Sequence, residues 1–185
     1  GGNDTITGGD GHATIYGGDG DDTIIGSGGG HRLIDGGDGN DTITGLYGPD
    51  QINGGNGNDT VNSQFGSDTI DGGAGDDIID GGSGNDTIDG GTGDDTLTGG
   101  SGSRNTFVVS ENRGNDTITD FTVGSDKIDL PTSFSGTFAD LMDVTTDEGS
   151  SVRITLGDNS LLLSGVSKSE LAESDFFGLV GADPF

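Results

Sequence analysis

The stretch GGAGDDIIDGGSGNDTIDGGTGDDTLTGG, residues 72 to 100, is three near-copies of one nine-residue phrase. Each copy has glycine at places one, two and four, aspartate at place six and a large aliphatic at place eight. A unit this short cannot bury a core by itself, so neighbouring units must stack. Aligned on place eight, the inward aliphatics are Ile6, Ile15, Ile24, Leu33, Ile43, Ile52, Val61, Ile70, Ile79, Ile88 and Leu97, spaced by nine except for the ten from Leu33 to Ile43. One repeat therefore carries an extra residue, and a bulge is expected near Ile34 and Asp35.

Places seven to nine read polar, apolar, polar and favour β-branched residues, the pattern of a very short strand, while the first six places are glycine-rich turn. Two such units make one flattened coil that stacks in parallel on the next, so the natural unit is eighteen residues. Alternate repeats then share an edge. One edge carries Asp4, Asp22, Asp41, Asp59, Asp77 and Asp95 at place six. The other reads Ala13, His31, Asp50, Asp68 and Asp86, with GLYGPD and SQFGSD among its turns. The first is expected to hold metal throughout and the second in part.

Composition points the same way. Of 33 acidic residues only Glu111, Glu148, Glu170 and Glu173 are glutamate, and 41 glycines accompany the aspartates. Asp with Gly indicates turns and oxygen-ligand sites rather than a disordered acidic tract. Six bases against those acids give a formal charge of −27, which repels nucleic acid and anionic lipid. There is no cysteine for disulfides or thiolate sites, no stretch of membrane-spanning length, and no cleavable-signal layout at the start, so export is expected by another route.

Two aliphatic side chains per coil are too few to offset the ordering of eighteen residues, many of them glycine. A divalent cation between stacked turns supplies the missing stabilisation and cancels the carboxylate repulsion. Hard oxygen donors, with no Cys or His at the repeating places, select calcium over zinc or copper.

The phrases GGDGDDTII (17 to 25), GGDGNDTIT (36 to 44), GGNGNDTVN (54 to 62) and the three opening copies fit G-G-x-G-x-D-x-U-x at every fixed place. About 1 to 107 of the chain resembles the RTX (repeats-in-toxin) hemolysin-type calcium-binding proteins. The resemblance implies an all-β fold: a right-handed parallel β-roll followed by a C-terminal capping β region with one or two short helices. It also implies several bound Ca2+ ions and release from a Gram-negative bacterium through a type I secretion channel. Carried over residue by residue, the ligands it implies are Asp22 with Gly18 and Gly20, Asp41 with Gly37 and Gly39, Asp59 with Gly55 and Gly57, Asp77 with Gly73 and Gly75, Asp86 with Gly82 and Gly84, and Asp95 with Gly91 and Gly93. Asp4, Asp50 and Asp68 join them, whereas Ala13 and His31 depart from the pattern. Arg104 stands where the next Asp is due, so the ladder is expected to end there.

Residues 104 to 130 resemble the closing portion of serralysin-type proteases and other RTX exoproteins. They echo the repeat at Gly114, Asp116 and Ile118, then at Ser125, Asp126 and Ile128, and add Phe107 and Phe121. Strands capping the open end are expected there. SVRITL and SLLLSGV read as a hairpin, and Ser167 with Glu170 as a capping box opening a short helix. The tail SDFFGLVGADPF resembles a type I export signal. The chain thus divides into a calcium-binding roll, 1 to 103, and a capping and export segment, 104 to 185. Because it enters the repeat at place three, it is expected to be the C-terminal part of a larger exoprotein such as a protease, lipase, polysaccharide lyase or epimerase.

Other chemistries lack their residues. No basic strand-to-helix loop suits phosphate, no helices flank an EF-hand loop, and H-E-x-x-H, G-x-S-x-G and Cys/His pairs are absent. His12 and His31 read as surface turn residues, and the paired acids of a glycosidase are accounted for by the repeat. No catalytic residue is assigned, and the chain reads as a non-enzymatic module. The alternative function is adhesion to polysaccharide or a cell surface through the row Thr23, Thr42, Thr60, Thr69, Thr87 and Thr96, opposed by the scatter of Tyr16, Tyr47 and Phe65. Ice binding is a further alternative, opposed by the mixed residues at places three and five.

Overall fold

A computed structural model describes residues 1–102, 104–110 and 113–180. Short strands succeed one another along the chain: β1 (Thr5–Thr7), β2 (Ala13–Asp19), β3 (Thr23–Ile25), β4 (Arg32–Asp38), β5 (Thr42–Tyr47), β6 (Gln51–Asn56) and β7 (Thr60–Phe65). They continue as β8 (Thr69–Ala74), β9 (Ile78–Asp80), β10 (Thr87–Asp89), β11 (Thr96–Thr98), β12 (Thr106–Val108), β13 (Asn115–Ile118) and β14 (Lys127–Asp129). Odd strands stack in one parallel sheet and even strands in a second. Each pair from β1/β2 to β13/β14 is one coil of a parallel β-roll, giving seven coils.

The register follows the period-two logic of a strand with one buried face. Val61 lies beside Ile79 and Ile52 beside Ile70, each 18 residues on. The core is a single file of place-eight side chains from each sheet, from Ile15 through Ile24, Ile34, Ile43, Ile52, Val61, Ile70, Ile79 and Ile88 to Leu97. It widens at Phe107, Ile118 and Ile128.

At one point the register departs from the sequence alignment. Ile34, not Leu33, turns inward and pairs with Ile15, while Leu33 is 37% exposed. β4 runs unbroken over seven residues, so there is no bulge at Ile34 and Asp35. The extra residue sits instead in the turn between β3 and β4, where a loop absorbs it without breaking a ladder hydrogen bond. Place six of that repeat is consequently Arg32, which pairs with Ala13. His31 stands in the turn, exposed, with its ring stacked on His12 at 5.2 Å.

Both sheets run on past residue 103. β12 pairs in parallel with β10, β13 with β11, and β14 with β12. Beyond them a helix, α1 (Phe138–Asp143), is opened by Thr137, whose hydroxyl accepts from the Asp140 N–H while the Asp140 carboxylate accepts from the Thr137 N–H. It buries Leu141. β15 (Thr145–Glu148), β16 (Ser151–Leu156) and β17 (Asn159–Leu163) form an antiparallel meander, the last two being the expected hairpin. β17 closes the first sheet on β13, and β18 (Phe176–Phe177) closes the second on β14. The expected helix after Ser167 is a single 3-10 turn, Lys168–Glu170. Residues 181–185 of the proposed export tail, and Glu111, lie outside the described residues.

Candidate metal centres along the two turn edges

The turns between strands stack into two columns, and the place-six side chains point inward beneath them. On the first edge, Asp22, Asp41, Asp59, Asp77 and Asp95 are buried, and the column continues to Asp116. Asp4, in the outermost coil, is exposed. On the second edge the order is Ala13, Arg32, Asp50, Asp68, Asp86, Asn105 and Asp126. The ladder therefore does not end at Arg104: place six falls on Asn105, one residue later, and Asp126 follows it.

The two oxygens of each carboxylate have different surroundings. Oδ1 accepts the backbone N–H of the place-six residue one coil earlier: Asp4 donates to Asp22 (2.6 Å), Asp22 to Asp41, Asp41 to Asp59 and Asp59 to Asp77 (2.7 Å each), and Asp77 to Asp95 (2.8 Å). The second edge repeats this from Asp50 to Asp68 (2.8 Å) and from Asp68 to Asp86 (2.9 Å). Oδ2 is buried and has no hydrogen-bond partner in Asp22, Asp41, Asp59, Asp68, Asp77, Asp86 and Asp95. A buried acceptor left bare costs about 1–3 kcal/mol, and more when charged, so seven aligned in this way require an account.

Carbonyl oxygens meet them. A methyl placed on Gly36 would stand 2.4 Å from Asp41 Oδ2 and 2.3 Å from the Gly54 carbonyl of the next coil. The same convergence recurs above Gly17, Gly54 and Gly72, with distances of 2.3 to 2.5 Å. In these turns place one is glycine, because a side chain there would fill the cradle. At places two and four the requirement is torsional, as at Gly37 (φ +111°) and Gly39 (φ +135°). The coil imposes that backbone even on Leu46 (φ +89°) and Gln64 (φ +71°), the place-two residues of the two irregular turns. In the second of these, Ser63 takes place one and its hydroxyl donates to the Gly81 carbonyl at 2.6 Å.

Burial drives the carboxyl pKa values upward. Asp77 reaches about 7, with desolvation first and the charges of Asp95, Asp59 and Asp71 adding to it. Asp59, Asp86 and Asp95 reach about 6, again chiefly through desolvation, and Asp41 and Asp68 move the same way. Hydrogen bonds from the preceding coil oppose the shift at each. Bare buried acceptors, neighbouring carbonyls and acids forced toward neutrality together form a hard-oxygen donor set suited to calcium. Among the described residues no three acidic or imidazole side chains converge, so backbone carbonyls must supply most donors.

The repeat pattern does not place Arg32 and Asn105 in these columns, whereas it already marks Asp116 and Asp126 as echoes of place six. The echoes at Gly114 and Ser125 marked the two aspartates. Arg32 was hidden by the alignment on Leu33. Tyr47 and Phe65, scattered in sequence, are brought one coil apart and stack at 5.0 Å.

Comparison with known proteins agrees with this architecture. A family model of the RTX calcium-binding nonapeptide repeat, in four copies, matches residues 1–30, 35–70 and 71–104. The extracellular lipase LipA from Serratia marcescens shares the fold at a TM-score of 0.54 and 23% identity, over 95% of this chain and 38% of the lipase. The chain thus spans well under half the length of that enzyme. The AlgE6R3 subunit from the Azotobacter vinelandii mannuronan C5-epimerase aligns at 22% identity over 76% of this chain and 85% of that one, with a TM-score of only 0.30. No curated protein matches in sequence. With its repeats matched over more than half its length, and the roll those repeats build, the chain belongs to the RTX calcium-binding nonapeptide repeat family.

Proposed function

We propose that the chain is the calcium-binding module of a larger secreted exoprotein, folding when it meets extracellular calcium and stabilising the parent protein after type I export. The observation that carries this is the set of seven buried, partnerless Oδ2 atoms, five of which, in Asp22, Asp41, Asp59, Asp77 and Asp86, face the place-one carbonyl of the next coil. Asp22, Asp41, Asp59, Asp77 and Asp95 on one edge, with Asp68 and Asp86 on the other, would hold Ca2+ through those oxygens. The place-one carbonyls of Gly36, Gly54, Gly72, Gly90 and Gly99 converge with the Oδ2 atoms, and the family resemblance adds those of Gly18, Gly20, Gly37, Gly39, Gly55, Gly57, Gly73, Gly75, Gly82, Gly84, Gly91 and Gly93 to complete the sets. Asp4 belongs to the same series at the exposed first coil.

The ion supplies positive charge and oxygen coordination between coils; the chain supplies the spacing, the dry cradle and the glycine backbone that turns its carbonyls inward. In calcium-poor cytosol the carboxylates repel one another, which keeps the chain unfolded and fit to thread a secretion channel. Outside a Gram-negative cell, sites with dissociation constants of about 10⁻⁴ to 10⁻³ M fill. The division into a calcium roll, 1 to 103, and a capping and export segment, 104 to 185, belongs to this proposal. So do the absence of catalysis in the chain itself and its place C-terminal to a catalytic domain.

The test is a calcium titration followed by circular dichroism and then chelation. A cooperative gain of β signal, reversed by chelator, is expected; a roll fully formed in chelator at neutral pH overturns the proposal. A polysaccharide-binding reading is favoured by one arrangement, the in-register exposed column Thr5, Thr23, Thr42 and Thr60. Against it, Ile78, 57% exposed, interrupts that column, and Tyr47 and Phe65 cover one ring face each by stacking. Glycan arrays with and without calcium separate the two readings.

A further inference from the structure

Within the nonapeptide repeats the second edge contains one carboxylate, Asp50, that the seven-atom pattern omits. Asp50 is as buried as its neighbours, and its Oδ1 accepts the Arg32 N–H at 3.0 Å, as place six does elsewhere. Its Oδ2 is not bare, however. The Arg32 guanidinium lies against it, with Nη1 at 3.4 Å from Oδ1 and 3.5 Å from Oδ2, both side chains wholly buried. Nη1 also donates to the carbonyls of Gly30 (3.2 Å) and Tyr47 (3.0 Å). Nη2 donates to those of Gly28 (2.8 Å) and Ser27.

We infer that the Arg32 guanidinium is a built-in cation standing where the rest of the repeat holds calcium. This rests on the calcium reading above. Its acceptors are of the kind that reading assigns to an ion, a place-six carboxylate of one coil and turn carbonyls around it, although on that turn it takes the place-three carbonyl of Tyr47. Ser27, Gly28 and Gly30 come from the turn below, Tyr47 and Asp50 from the turn above. The extra residue in the turn before Arg32 gives that turn the length to wrap a planar group larger than a metal ion. Nε alone of the guanidinium nitrogens has no partner, as expected where a fork replaces a sphere.

The opposite end of the other edge repeats the device. Arg113 Nη1 donates to Asp116 Oδ2 at 2.6 Å, its Nε donates to the Ser110 carbonyl at 3.0 Å, and both side chains are buried. Asp116 Oδ1 still accepts the Asp95 N–H, at 3.2 Å. Each carboxylate column thus has a fixed cation at one end, near the start of the chain on one edge and near the end of the roll on the other. Asp50 is a guanidinium partner rather than a calcium ligand, and the second edge binds one ion fewer than its aspartates suggest.

The test counts bound calcium by native mass spectrometry on the full chain and three variants. Asp86→Asn is expected to lose one ion, Asp50→Asn to keep the wild-type number, and Arg32→Ser, which frees Asp50 Oδ2 and its carbonyls, to gain one. Where Asp50→Asn does not fold, the Arg32→Ser count decides: a gain of one supports the inference, and an unchanged or lower number overturns it. A wild-type chain that binds calcium, with one ion lost in Asp50→Asn, overturns this inference alone. A wild-type chain that binds none overturns the calcium reading and this inference with it.

Discussion

Asp77→Asn should act with opposite sign in the presence and absence of calcium. Asp77 is 1% exposed, its Oδ1 accepts the Asp59 N–H at 2.7 Å, and its Oδ2 has no partner. In asparagine the amide oxygen keeps the first bond. The amide nitrogen takes the place of Oδ2, beside the Gly90 carbonyl that converges with it above Gly72, each 2.4 Å from a methyl built there. A donor then faces an acceptor, and a charge beside Asp59, Asp95 and Asp71 is gone. Removing one bare buried acceptor should stabilise the metal-free roll by about 1–3 kcal/mol. With calcium the substitution removes a ligand, and one site filled at about 100 times its dissociation constant contributes about 2.7 kcal/mol, so the loaded roll should lose up to about that amount. Urea unfolding in saturating calcium measures the second effect. An osmolyte titration in chelator, which drives the metal-free chain through its folding transition, measures the first. Destabilisation in both arms would show that Asp77 acts only as an acceptor for Asp59 and would refute the assignment of its second oxygen to a cation.

The acids of the columns also predict an inverted pH response in chelator. Their folded pKa values, about 6 for Asp59, Asp86 and Asp95 and about 7 for Asp77, lie above the ordinary 3.8. The folded chain holds the extra protons, so the stability they confer is full below pH 3.8 and is lost as pH rises through 6 to 7. Acidifying a chelated sample from neutral pH should therefore raise its β signal, whereas in calcium protons should weaken ion binding; a chelated sample that loses structure on acidification contradicts this. Gly36→Ala should cost about 1–3 kcal/mol by overpacking and lower calcium affinity, because its methyl would meet Asp41 Oδ2 and the Gly54 carbonyl, while Gly9→Ala, with nothing near, should be silent in the same urea and calcium titrations. Ile79→Ala should cost about 2–5 kcal/mol from the single-file core, and Ile78→Ala, 57% exposed, about 0.5 kcal/mol or less by thermal melting.

How far the sequence disclosed this arrangement depends on how many residues voted for each position. The coil, its parallel register and the inward aliphatic were legible because eleven repeats agreed and a strand has only two faces. The register is ambiguous where two aliphatics, Leu33 and Ile34, stand side by side, and spacing alone cannot choose between them. The choice was made by the turn, which could take the extra residue, and by Arg32, whose guanidinium needed acceptors that only one register provides. The same one-residue ambiguity put Arg104 at place six instead of Asn105. A short C-terminal helix is expected from the sequence, but its place at α1 is not legible because Phe138 to Asp143 holds too few residues for a helical period to emerge, although Thr137 and Asp140 carry its capping signal. The ligand sets were legible as residue types, but not the division of labour between the two oxygens of each carboxylate, which arises only once one coil lies over another.

That division explains which departures from the repeat the roll tolerates. A place-six residue does two things: Oδ1 binds the N–H of the coil before it, and a second atom faces the carbonyls of its own cradle. Ala13 stands in the first coil, where no earlier place six needs an acceptor on that edge, so the first duty does not arise. Asn105 keeps that duty, accepting the Asp86 N–H at 3.0 Å, and sets its amide nitrogen 2.6 Å from a methyl built on Gly99, where other coils place Oδ2. Arg32 performs neither duty by itself, yet it fills the cradle above it with positive charge and so relieves Asp50. Glutamate would place its carboxylate one methylene too far to reach both partners from a turn this tight, which is the physical reason the acids of the columns are aspartate throughout. The solenoid holds a neutral donor or a fixed cation in some cradles, and the proposed calcium reading assigns an ion to those where the chain supplies neither.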